Sequence, residues 1–395
     1  MEIPHDESES LLSLLFGSNP NPEDVDRWKS QGWTMSQEIP FVIHQSHGGP
    51  CGILAPVQAF LLKKLIFENQ EGLSSIERLR LIDPKILRDS LESVLLIMLK
   101  RAVPDHRNPI KLIKLRENHS FQSADSIDLN QSTVLDFAAS LVRSRGIDQV
   151  KLDMDDPEIP LIGRFGHCSQ ELLNLVLFGQ ARSNVFDGDQ KLGDDIMILR
   201  GVPSEADIDV GLLSELEALR YVTVGSKLKN PKYPFWIIGS PSHYTLLFSF
   251  DKSCSSRSRT ESQQDLIRAK FNEFSMDDGI ALAENFPKMI KALGLSDTVL
   301  SDSSAKSFLV EEVIIYDDFY KWVVEFLPSV SENAEKISDS NLQFVFINGQ
   351  NPVQVLHVAT SREPVLTACD IAGSLERIVR TRWPNLHLRI VNQLS

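Results

Sequence analysis

The spacing of hydrophobic residues predicts a chain that mixes helices and strands. Apolar residues occupy nearly every position from Cys51 to Phe67, with Leu54, Val57 and Leu61 in one stripe and others on the remaining faces. A helix that is apolar all round is typical of a buried, central element. Helical spacing predicts further helices over 89–101, 134–145, 169–178 and 212–221. Short runs of β-type composition predict strands over 39–43, 235–238, 244–250, 342–347 and 353–359.

Two polar runs separate a helical stretch from the rest of this pattern. The first, over 252–265, is rich in Ser, Arg and Gln, and the second covers 331–341. Runs of this composition predict mobile linkers. We therefore expect an α+β fold whose main domain consists of 1–251 and 340–395. A helical insert at 252–339 interrupts it and has the size of a small independent unit.

Charge and cysteine usage restrict the class of protein. Lys and Arg number 40 against 54 Asp and Glu, and the net charge of −14 argues against nucleic acid and anionic membranes as partners. The cysteines form no CxxC pair, so neither a disulfide framework nor a zinc ribbon is expected. The acidic N-terminus lacks the layout of a signal peptide. We expect a soluble intracellular protein, cytoplasmic or nuclear, that needs no cofactor.

Cys51 stands where the central helix is predicted to begin, directly after Gly48, Gly49 and Pro50. The N–H groups and the dipole of a helix start stabilise an anion, which favours the thiolate form of a cysteine. Gln45 lies six residues upstream and could donate its side-chain amide to an acyl oxyanion, together with the backbone N–H of Cys51. The alternative is a buried structural cysteine. The combination of glycine turn, helix start and glutamine favours a nucleophile.

A nucleophilic thiol needs a base, and His243 is the best-placed histidine. It opens the predicted strand at 244–250 straight after a Ser-Pro-Ser turn. At the rim of a sheet an imidazole can face a helix start and remain accessible. An edge histidine without a catalytic role is the alternative. His44 and His47 lie closer to Cys51 in sequence, but their spacing lacks a fourth ligand, so no metal site is expected.

Four separated blocks of the chain carry a family resemblance. They read QSHGGPCGILAPVQAFLLKKLIF, GHCSQELLNLVLFGQARSNVFDGD, LEALRYVTVGSKLKNPKYPFWIIGSPSHYTLLF and TRWPNLHL. In order and spacing they resemble the MINDY deubiquitinases, in particular the branch with an EF-hand-like insert. The resemblance implies a papain-like cysteine protease fold that hydrolyses isopeptide bonds in lysine-48-linked polyubiquitin. Cys51 matches the nucleophile of the family, His243 its histidine and Gln45 its oxyanion-hole glutamine.

The sequence alone does not decide which residue orients His243. Asn348, in the turn FINGQ after a late predicted strand, is the candidate. An amide oxygen can hold an imidazole as in other Cys-His-Asn enzymes. A turn asparagine before Gly349, without a catalytic role, is at least as good an interpretation. Asp251 is a weaker candidate for the orienting group.

The insert departs from the EF-hand pattern that the resemblance implies. An EF-hand loop supplies oxygen ligands at positions 1, 3, 5, 9 and 12 around a glycine at position 6. With Gly279 at position 6, the residues at positions 1, 3, 5 and 12 are Phe274, Met276, Asp278 and Asn285. Only one carboxylate remains among them. We expect that the insert binds no calcium tightly and that its helices pack or present a protein-binding surface.

Three functions are compatible with this sequence. The first is a monomeric thiol isopeptidase that acts on lysine-48-linked polyubiquitin and ubiquitylated proteins. The second is a latent or inactive ubiquitin-chain-binding protein of the same fold. The third, a different papain-like acyl transferase or amidase, rests on fold analogy alone. The acidic charge suits a partner such as ubiquitin, whose recognition patch is rimmed by basic side chains.

Overall fold

The computed structural model describes residues 5–69, 72–104, 110–114, 119–122, 127–192, 197–256, 259–277, 279–295, 309–310, 312–326, 342–361, 370–384 and 386–394. It divides into two compact units, one of Met1–Ser255 with Asp339–Ser395 and the other of Ser256–Ser338. The polar run predicted at 331–341 lies outside the described residues. Within the described ranges, no helix is long and apolar enough to cross a membrane.

Helices and strands are mixed along the chain, in agreement with the predicted α+β class. The helices are α1 (His5–Phe16), α2 (Pro22–Ser30), α3 (Cys51–Lys63), α4 (Ile76–Arg80), α5 (Pro84–Ala102), α6 (Val134–Arg145), α7 (Ile147–Asp153), α8 (Gln170–Phe178), α9 (Glu215–Ala218), α10 (Ser226–Lys229), α11 (Arg259–Asn272), α12 (Phe286–Ala292), α13 (Tyr316–Val324) and α14 (Asp370–Val379). The strands are β1 (Lys111–Lys114), β2 (His119–Gln122), β3 (Gln190–Leu192), β4 (Met197–Leu199), β5 (Gly211–Ser214), β6 (Phe235–Gly239), β7 (Tyr244–Phe248), β8 (Ser275–Asp277), β9 (Ile280–Leu282), β10 (Leu309–Val310), β11 (Val313–Ile315), β12 (Gln343–Asn348), β13 (Gln354–Ser361) and β14 (His387–Leu394).

A six-stranded sheet is the framework of the first unit, in the order β14-β13-β12-β7-β6-β5. Its neighbours are antiparallel except β5 and β6, which are parallel. β6 and β7 form a hairpin in which Gly239 lies opposite Tyr244, as the turn at 239–243 predicts. β12 pairs with β7 so that Ile347 lies opposite Leu246. The end of β12 and the start of β7 therefore meet at one edge of the sheet.

Helix α3 is the central helix of this unit. Every residue from Cys51 to Lys63 is buried. The helix contacts strands β6 and β7 and also helices α5, α6 and α8. Burying one large apolar side chain, such as Phe60, contributes about 1.5–3 kcal/mol to folding. The predicted central position of this helix is confirmed, and its first residue is held in place by packing along its whole length.

A buried group of charges fixes the other end of α3. The Lys63 ammonium lies 3.0 Å from Asp209 and 2.8 Å from Glu68, and Arg101 lies 2.8 Å from Asp209. Burial alone would lower the pKa of Lys63, but the hydrogen bonds and charges of Glu68 and Asp209 raise it above its ordinary value. Removing one partner of a buried ion pair typically destabilises a fold by about 3–5 kcal/mol. This group joins the end of α3 to the segment that leads into β5.

The helix predicted over 212–221 is wrong in its first part. Gly211–Ser214 forms β5, which pairs with β6, and only Glu215–Ala218 is helical. Leu212 and Leu213 are buried in the sheet, whereas the later leucines at helical spacing are exposed. The Ser214 hydroxyl accepts the N–H of Leu216 and marks the start of the short helix. Pairing with a neighbouring strand overrides the helical spacing here.

Two further predictions about local structure are wrong. The segment 39–43 forms no strand: an isolated bridge joins Met35 to Ile43, and the Ile43 N–H donates to the Gln58 side chain at 2.6 Å. The polar run over 252–265 is largely helical, because a 3-10 turn covers Lys252–Ser255 and α11 starts soon after it. A polar composition is compatible with an exposed helix as well as with a linker.

The second unit has a core of its own. Strands β8 to β11 form a small sheet in the order β10-β11-β9-β8, and β9 pairs with β11 in antiparallel register. Helices α11, α12 and α13 supply most of the core, which contains Ile267, Phe271, Phe286, Met289, Phe319 and Trp322. The rings of Phe271 and Phe319 lie 5.4 Å apart. The unit therefore buries apolar side chains independently of the six-stranded sheet.

The side chain of Asn285, at position 12 of the EF-hand alignment, is already engaged. Its Nδ2 donates to the Phe274 carbonyl at 3.3 Å, and its Oδ1 accepts the Lys288 ammonium at 2.9 Å. A calcium ligand at this position needs a free oxygen and is ordinarily a bidentate glutamate. The positive charge of Lys288 also opposes a cation at this place.

We expect calorimetric titration of the full chain with calcium to give no binding in the micromolar range, because positions 1 and 12 lack carboxylates. The double variant Phe274→Asp, Asn285→Glu restores carboxylates at these two positions of the aligned loop. It should bind calcium more tightly than the unaltered chain. Micromolar binding by the unaltered chain would contradict the prediction.

Candidate active site

Cys51 is the first residue of α3 and follows Pro50, the N-cap of the helix. The Pro50 carbonyl accepts the N–H groups of Ile53 and Leu54, both at 3.0 Å. The Cys51 N–H precedes these first hydrogen bonds of the helix and has no acceptor one turn earlier. An N–H of this kind, next to a thiol, is one of the donors that an oxyanion hole requires.

The turn before Cys51 requires glycine at position 49. Gly49 has a φ of +127°, where residues other than glycine are strained. A Cβ at this position would lie 2.9 Å from the Gly166 carbonyl oxygen and 3.1 Å from Nε1 of Trp28. Gly49 therefore allows the turn to pack closely against the segment around Gly166. This requirement is separate from the space that a substrate would need near Cys51.

Burial governs the ionisation of the Cys51 thiol. Only 3% of the residue is exposed, and its Sγ lies 3.8 Å from the Gly49 carbonyl oxygen, to which it donates. Burial raises the pKa of Cys51 to about 11, although hydrogen bonds from the backbone of Tyr244, Gly52 and Cys51 itself act in the opposite direction. In this structure, desolvation outweighs the favourable effect of the helix start.

His243 and Asn348 are brought together by the register of the sheet. His243 ends the turn between β6 and β7, and its carbonyl accepts the N–H and the hydroxyl of Ser240 at 3.0 and 2.8 Å. Its Nε2 lies 2.9 Å from Oδ1 of Asn348, at the end of β12. The same oxygen accepts the N–H of Gln350 at 3.1 Å, which fixes the orientation of the amide.

This contact determines which nitrogen of His243 is basic. An amide oxygen only accepts hydrogen bonds, so Nε2 carries the proton and Nδ1 is left as the acceptor. No hydrogen bond joins His243 to Cys51 in the described part of the chain. The residue after the histidine lies close to this helix start, because the ring of Tyr244 is 3.3 Å from the place of a Cβ at Gly52, the residue after Cys51. His243 and Cys51 thus lie on neighbouring segments.

Gln45 lies beside the turn that carries Asn348. Its N–H donates to the Gly349 carbonyl at 2.8 Å, and a parallel bridge pairs it with Gln350. Its buried side chain donates through Nε2 to the His47 carbonyl at 2.7 Å. An amide group has two N–H bonds, so a second donor remains on Nε2 for another acceptor.

The alternatives weighed for these roles fit the geometry less well. Asp251 follows the far end of β7, and a strand of five residues spans roughly 16 Å. Its carboxylate accepts the N–H of Ser253 at 2.9 Å. Among the described residues, no group of three or more His, Cys, Asp or Glu side chains is placed to hold a metal ion, and this includes the surroundings of His44 and His47.

Sequence reasoning missed two side chains next to Cys51. A Cβ at Gly52 would lie 2.7 Å from the Cys168 sulfur and 3.3 Å from the ring of Tyr244. Cys168 also approaches the Gly49 carbonyl, at 3.9 Å, and burial together with the neighbouring Cys51 raises its pKa. The position of Cys168 inside the block GHCSQELL was visible in the sequence, but no spacing rule links it to Cys51.

Comparison with known proteins identifies the family of the chain independently of the geometry of the site. The family described as "Deubiquitinating enzyme MINDY-3/4, conserved domain" matches residues 13–123 and 111–273. The chain belongs to the MINDY-3/4 family of deubiquitinating enzymes. This membership confirms the family resemblance and the predicted enzyme class, a cysteine-type deubiquitinase. The matched range includes Gln45, Cys51 and His243, whereas Asn348 lies beyond it.

Relatives named MINDY-3 are similar along nearly the whole chain, and a relative named MINDY-4 is similar over part of it. The ubiquitin carboxyl-terminal hydrolase MINDY-3 of Mus musculus is 29% identical over 447 residues, which cover 96% of this chain and 97% of the relative. That of Xenopus tropicalis is 32% identical over 442 residues, with 96% of each chain covered. The probable ubiquitin carboxyl-terminal hydrolase MINDY-4 of Mus musculus is 34% identical over 276 residues, covering 61% of this chain and 37% of the relative. No solved structure matches the chain.

We expect Cys51 to react slowly with iodoacetamide at neutral pH. Its rate should rise about tenfold for each unit of pH between about pH 7 and pH 10, because higher pH deprotonates a thiol whose pKa lies near 11. Peptide-resolved mass spectrometry separates Cys51 from Cys168. The variant His243→Ala should show the same profile as the unaltered chain. A fast rate that does not change between about pH 7 and pH 9 would indicate a preformed thiolate–imidazolium pair and contradict the prediction.

Proposed function

We propose that this chain is a thiol isopeptidase that hydrolyses lysine-48-linked polyubiquitin, with Cys51 as nucleophile and His243 as general base. One observation carries the proposal: His243 holds the Asn348 amide at 2.9 Å. The ring of Tyr244, the residue after this histidine, lies 3.3 Å from the place of a Cβ at Gly52, the residue after Cys51. The lysine-48 linkage is taken from the family resemblance. Gln45 and the Cys51 N–H are the proposed oxyanion donors.

Acylation begins with the transfer of the Cys51 proton to Nδ1 of His243. The thiolate attacks the carbonyl carbon of the C-terminal glycine of the distal ubiquitin, and the Cys51 N–H and the Gln45 amide hold the resulting oxyanion. Collapse of the tetrahedral intermediate breaks the isopeptide C–N bond. The imidazolium of His243 returns its proton to the departing lysine amine, which leaves as the neutral group.

In deacylation, the same groups activate a water molecule that hydrolyses the thioester. Nδ1 of His243 takes a proton from a water molecule, and the resulting hydroxide attacks the thioester carbonyl. Breaking the C–S bond releases the ubiquitin C-terminus as a carboxylic acid, which loses its proton to solvent, and the proton on His243 regenerates the Cys51 thiol. Asn348 keeps its bond to Nε2 through both halves of the cycle, so that Nδ1 faces the reacting atoms each time.

The proposal includes a domain arrangement. We assign 1–251 and 340–395 to a papain-like catalytic domain and 252–339 to an EF-hand-like insert. A buried helix that begins with the nucleophile and packs on the sheet that bears the histidine supports the first assignment. Two helix-and-strand segments joined through β9 and β11 support the second. A monomer in the cytoplasm or the nucleus agrees with the composition.

The second candidate function is a latent ubiquitin-chain-binding protein. It is favoured by the geometry of Cys51, whose buried thiol donates to the Gly49 carbonyl rather than to His243 and has a pKa raised by burial. A ubiquitin probe with a C-terminal electrophile separates the two functions. Covalent labelling of Cys51 at neutral pH supports the isopeptidase, whereas tight binding of the probe without labelling supports the latent protein.

The variant Cys51→Ala should abolish cleavage of purified lysine-48-linked chains and leave chain binding intact, because it removes only the nucleophile. A panel of differently linked chains, analysed by gel electrophoresis, measures cleavage and linkage preference together. We expect lysine-48-linked chains to be cleaved first. Residual cleavage by Cys51→Ala at the rate of the unaltered chain would show that another residue is the nucleophile.

The variant Asn348→Ala should lower kcat by about 100-fold with little change in KM. A misoriented imidazole is badly placed for proton transfer, which slows the chemical step but does not weaken substrate binding. Asn348→Asp keeps an oxygen acceptor and should recover part of the loss. Asn351→Ala is a matched control, since it removes an exposed asparagine three residues further along the chain. Equal activity of Asn348→Ala and Asn351→Ala would leave Asn348 as a turn residue only.

A further inference from the structure

Phe165 combines an unfavourable backbone conformation with an exposed ring. Its φ of 63° and ψ of 17° lie in the left-handed region, which residues with a Cβ rarely adopt. The residue is 73% exposed. The ring therefore gains little from burial in the free protein, and the backbone is strained at the same position. Strained conformations persist where the surrounding structure imposes them, and they concentrate at ligand-binding places.

The short loop around Phe165 is held from within. The Gly163 N–H donates to the His167 carbonyl at 2.9 Å, and the Gly166 N–H donates to the Gly163 carbonyl at 3.2 Å. An antiparallel bridge between Ile162 and Cys168 closes the base of the loop. These bonds define a closed turn over 162–168, which we call the Phe165 loop.

Helix α2 holds the same loop from outside. Nη2 of Arg27 donates to the Phe165 carbonyl at 2.9 Å, and Nε1 of Trp28 donates to the Gly166 carbonyl at 2.8 Å. Trp28 is fully buried, and Arg27 is paired with Asp24. Two side-chain donors from one helix thus bind consecutive carbonyls, which imposes the left-handed turn on Phe165.

The Phe165 loop lies against the turn that carries the nucleophile. The Gly166 carbonyl is 2.9 Å from the place of a Cβ at Gly49, two residues before Cys51, and Cys168 packs on Gly52, the residue after it. The Phe165 loop therefore contacts the chain both before Cys51, at Gly49, and after it, at Gly52. Phe165 is the member of this loop whose large apolar side chain stays in solvent.

We propose that Phe165 is a substrate-contacting residue that packs against an aliphatic side chain in the extended C-terminal tail of the acyl-donor ubiquitin. The proposal rests on the function proposed above and adds a subsite to it. An extended peptide advances about 3.3 Å per residue, so a ring next to Gly166 meets a side chain a few residues before the scissile carbonyl. A preformed apolar surface on a fixed loop binds such a side chain without first having to be ordered.

The test is a variant that improves the backbone while it removes the ring. Glycine adopts the left-handed conformation freely, so Phe165→Gly should raise the melting temperature and at the same time raise KM for a lysine-48-linked chain about tenfold, with kcat little changed. Phe165→Leu should keep most of the affinity. Glu312→Gly relieves a similar φ of 71° in the second unit and should leave KM unchanged. A more stable Phe165→Gly variant with an unaltered KM would overturn the proposal.

A binding experiment separates this proposal from the proposed catalysis. In the Cys51→Ala background, calorimetry compares intact ubiquitin with ubiquitin that lacks its C-terminal tail, each with and without Phe165→Gly. We expect Phe165→Gly to weaken binding of intact ubiquitin about tenfold and to leave binding of the truncated form unchanged. Equal weakening of both forms, or of neither, overturns the tail contact. Absence of cleavage by the unaltered chain would instead count against the isopeptidase function and leave the binding comparison valid.

Discussion

The full burial of α3 is the constraint on which the rest of the site depends. Because every residue from Cys51 to Lys63 is buried, the helix cannot shift or rotate without opening the core on several sides. Its start is therefore a fixed point. The Gly49 turn packs closely on the Gly166 carbonyl, and Gly52 leaves room only for Cys168 and the ring of Tyr244. The position of the Cys51 sulfur follows from core packing, while its chemistry follows from the few polar groups around it.

The sheet supplies the second half of the site through its register. His243 and Asn348 are more than a hundred residues apart in sequence, yet they meet because β7 and β12 pair antiparallel with Ile347 opposite Leu246. A shift of the pairing by one residue would move Asn348 to the other face of the sheet and end the contact. The second unit lies between these two strands in sequence, so a large insertion is compatible with the site as long as the pairing persists.

Local sequence pattern predicted the features that depend on local physics. The apolar run after Cys51 indicated a central helix, and the turn at 239–243 indicated the hairpin that presents His243. Where long-range contacts decide, the pattern failed or left alternatives open. Leu212 and Leu213 have helical spacing but pair with β6, and the contact between Asn348 and His243 depends on the pairing of distant strands. The neighbours Cys168 and Phe165 carry no spacing signal, because nothing local relates them to Cys51.

The high pKa of the buried Cys51 thiol lowers the expected rate of the proposed reaction less than the loss of thiolate alone suggests. A rise in the pKa of Cys51 from 9.0 to about 11 lowers the thiolate population at neutral pH about 100-fold. A more basic thiolate is also a stronger nucleophile, by a factor of about 8 for two units with a Brønsted slope of 0.4–0.5. The net loss is roughly tenfold, which one hydrogen bond to a well-oriented base can offset. In the proposed mechanism, this hydrogen bond forms between the Cys51 sulfur and Nδ1 of His243. The dry surroundings that disfavour the free thiolate would then strengthen its attraction to the imidazolium.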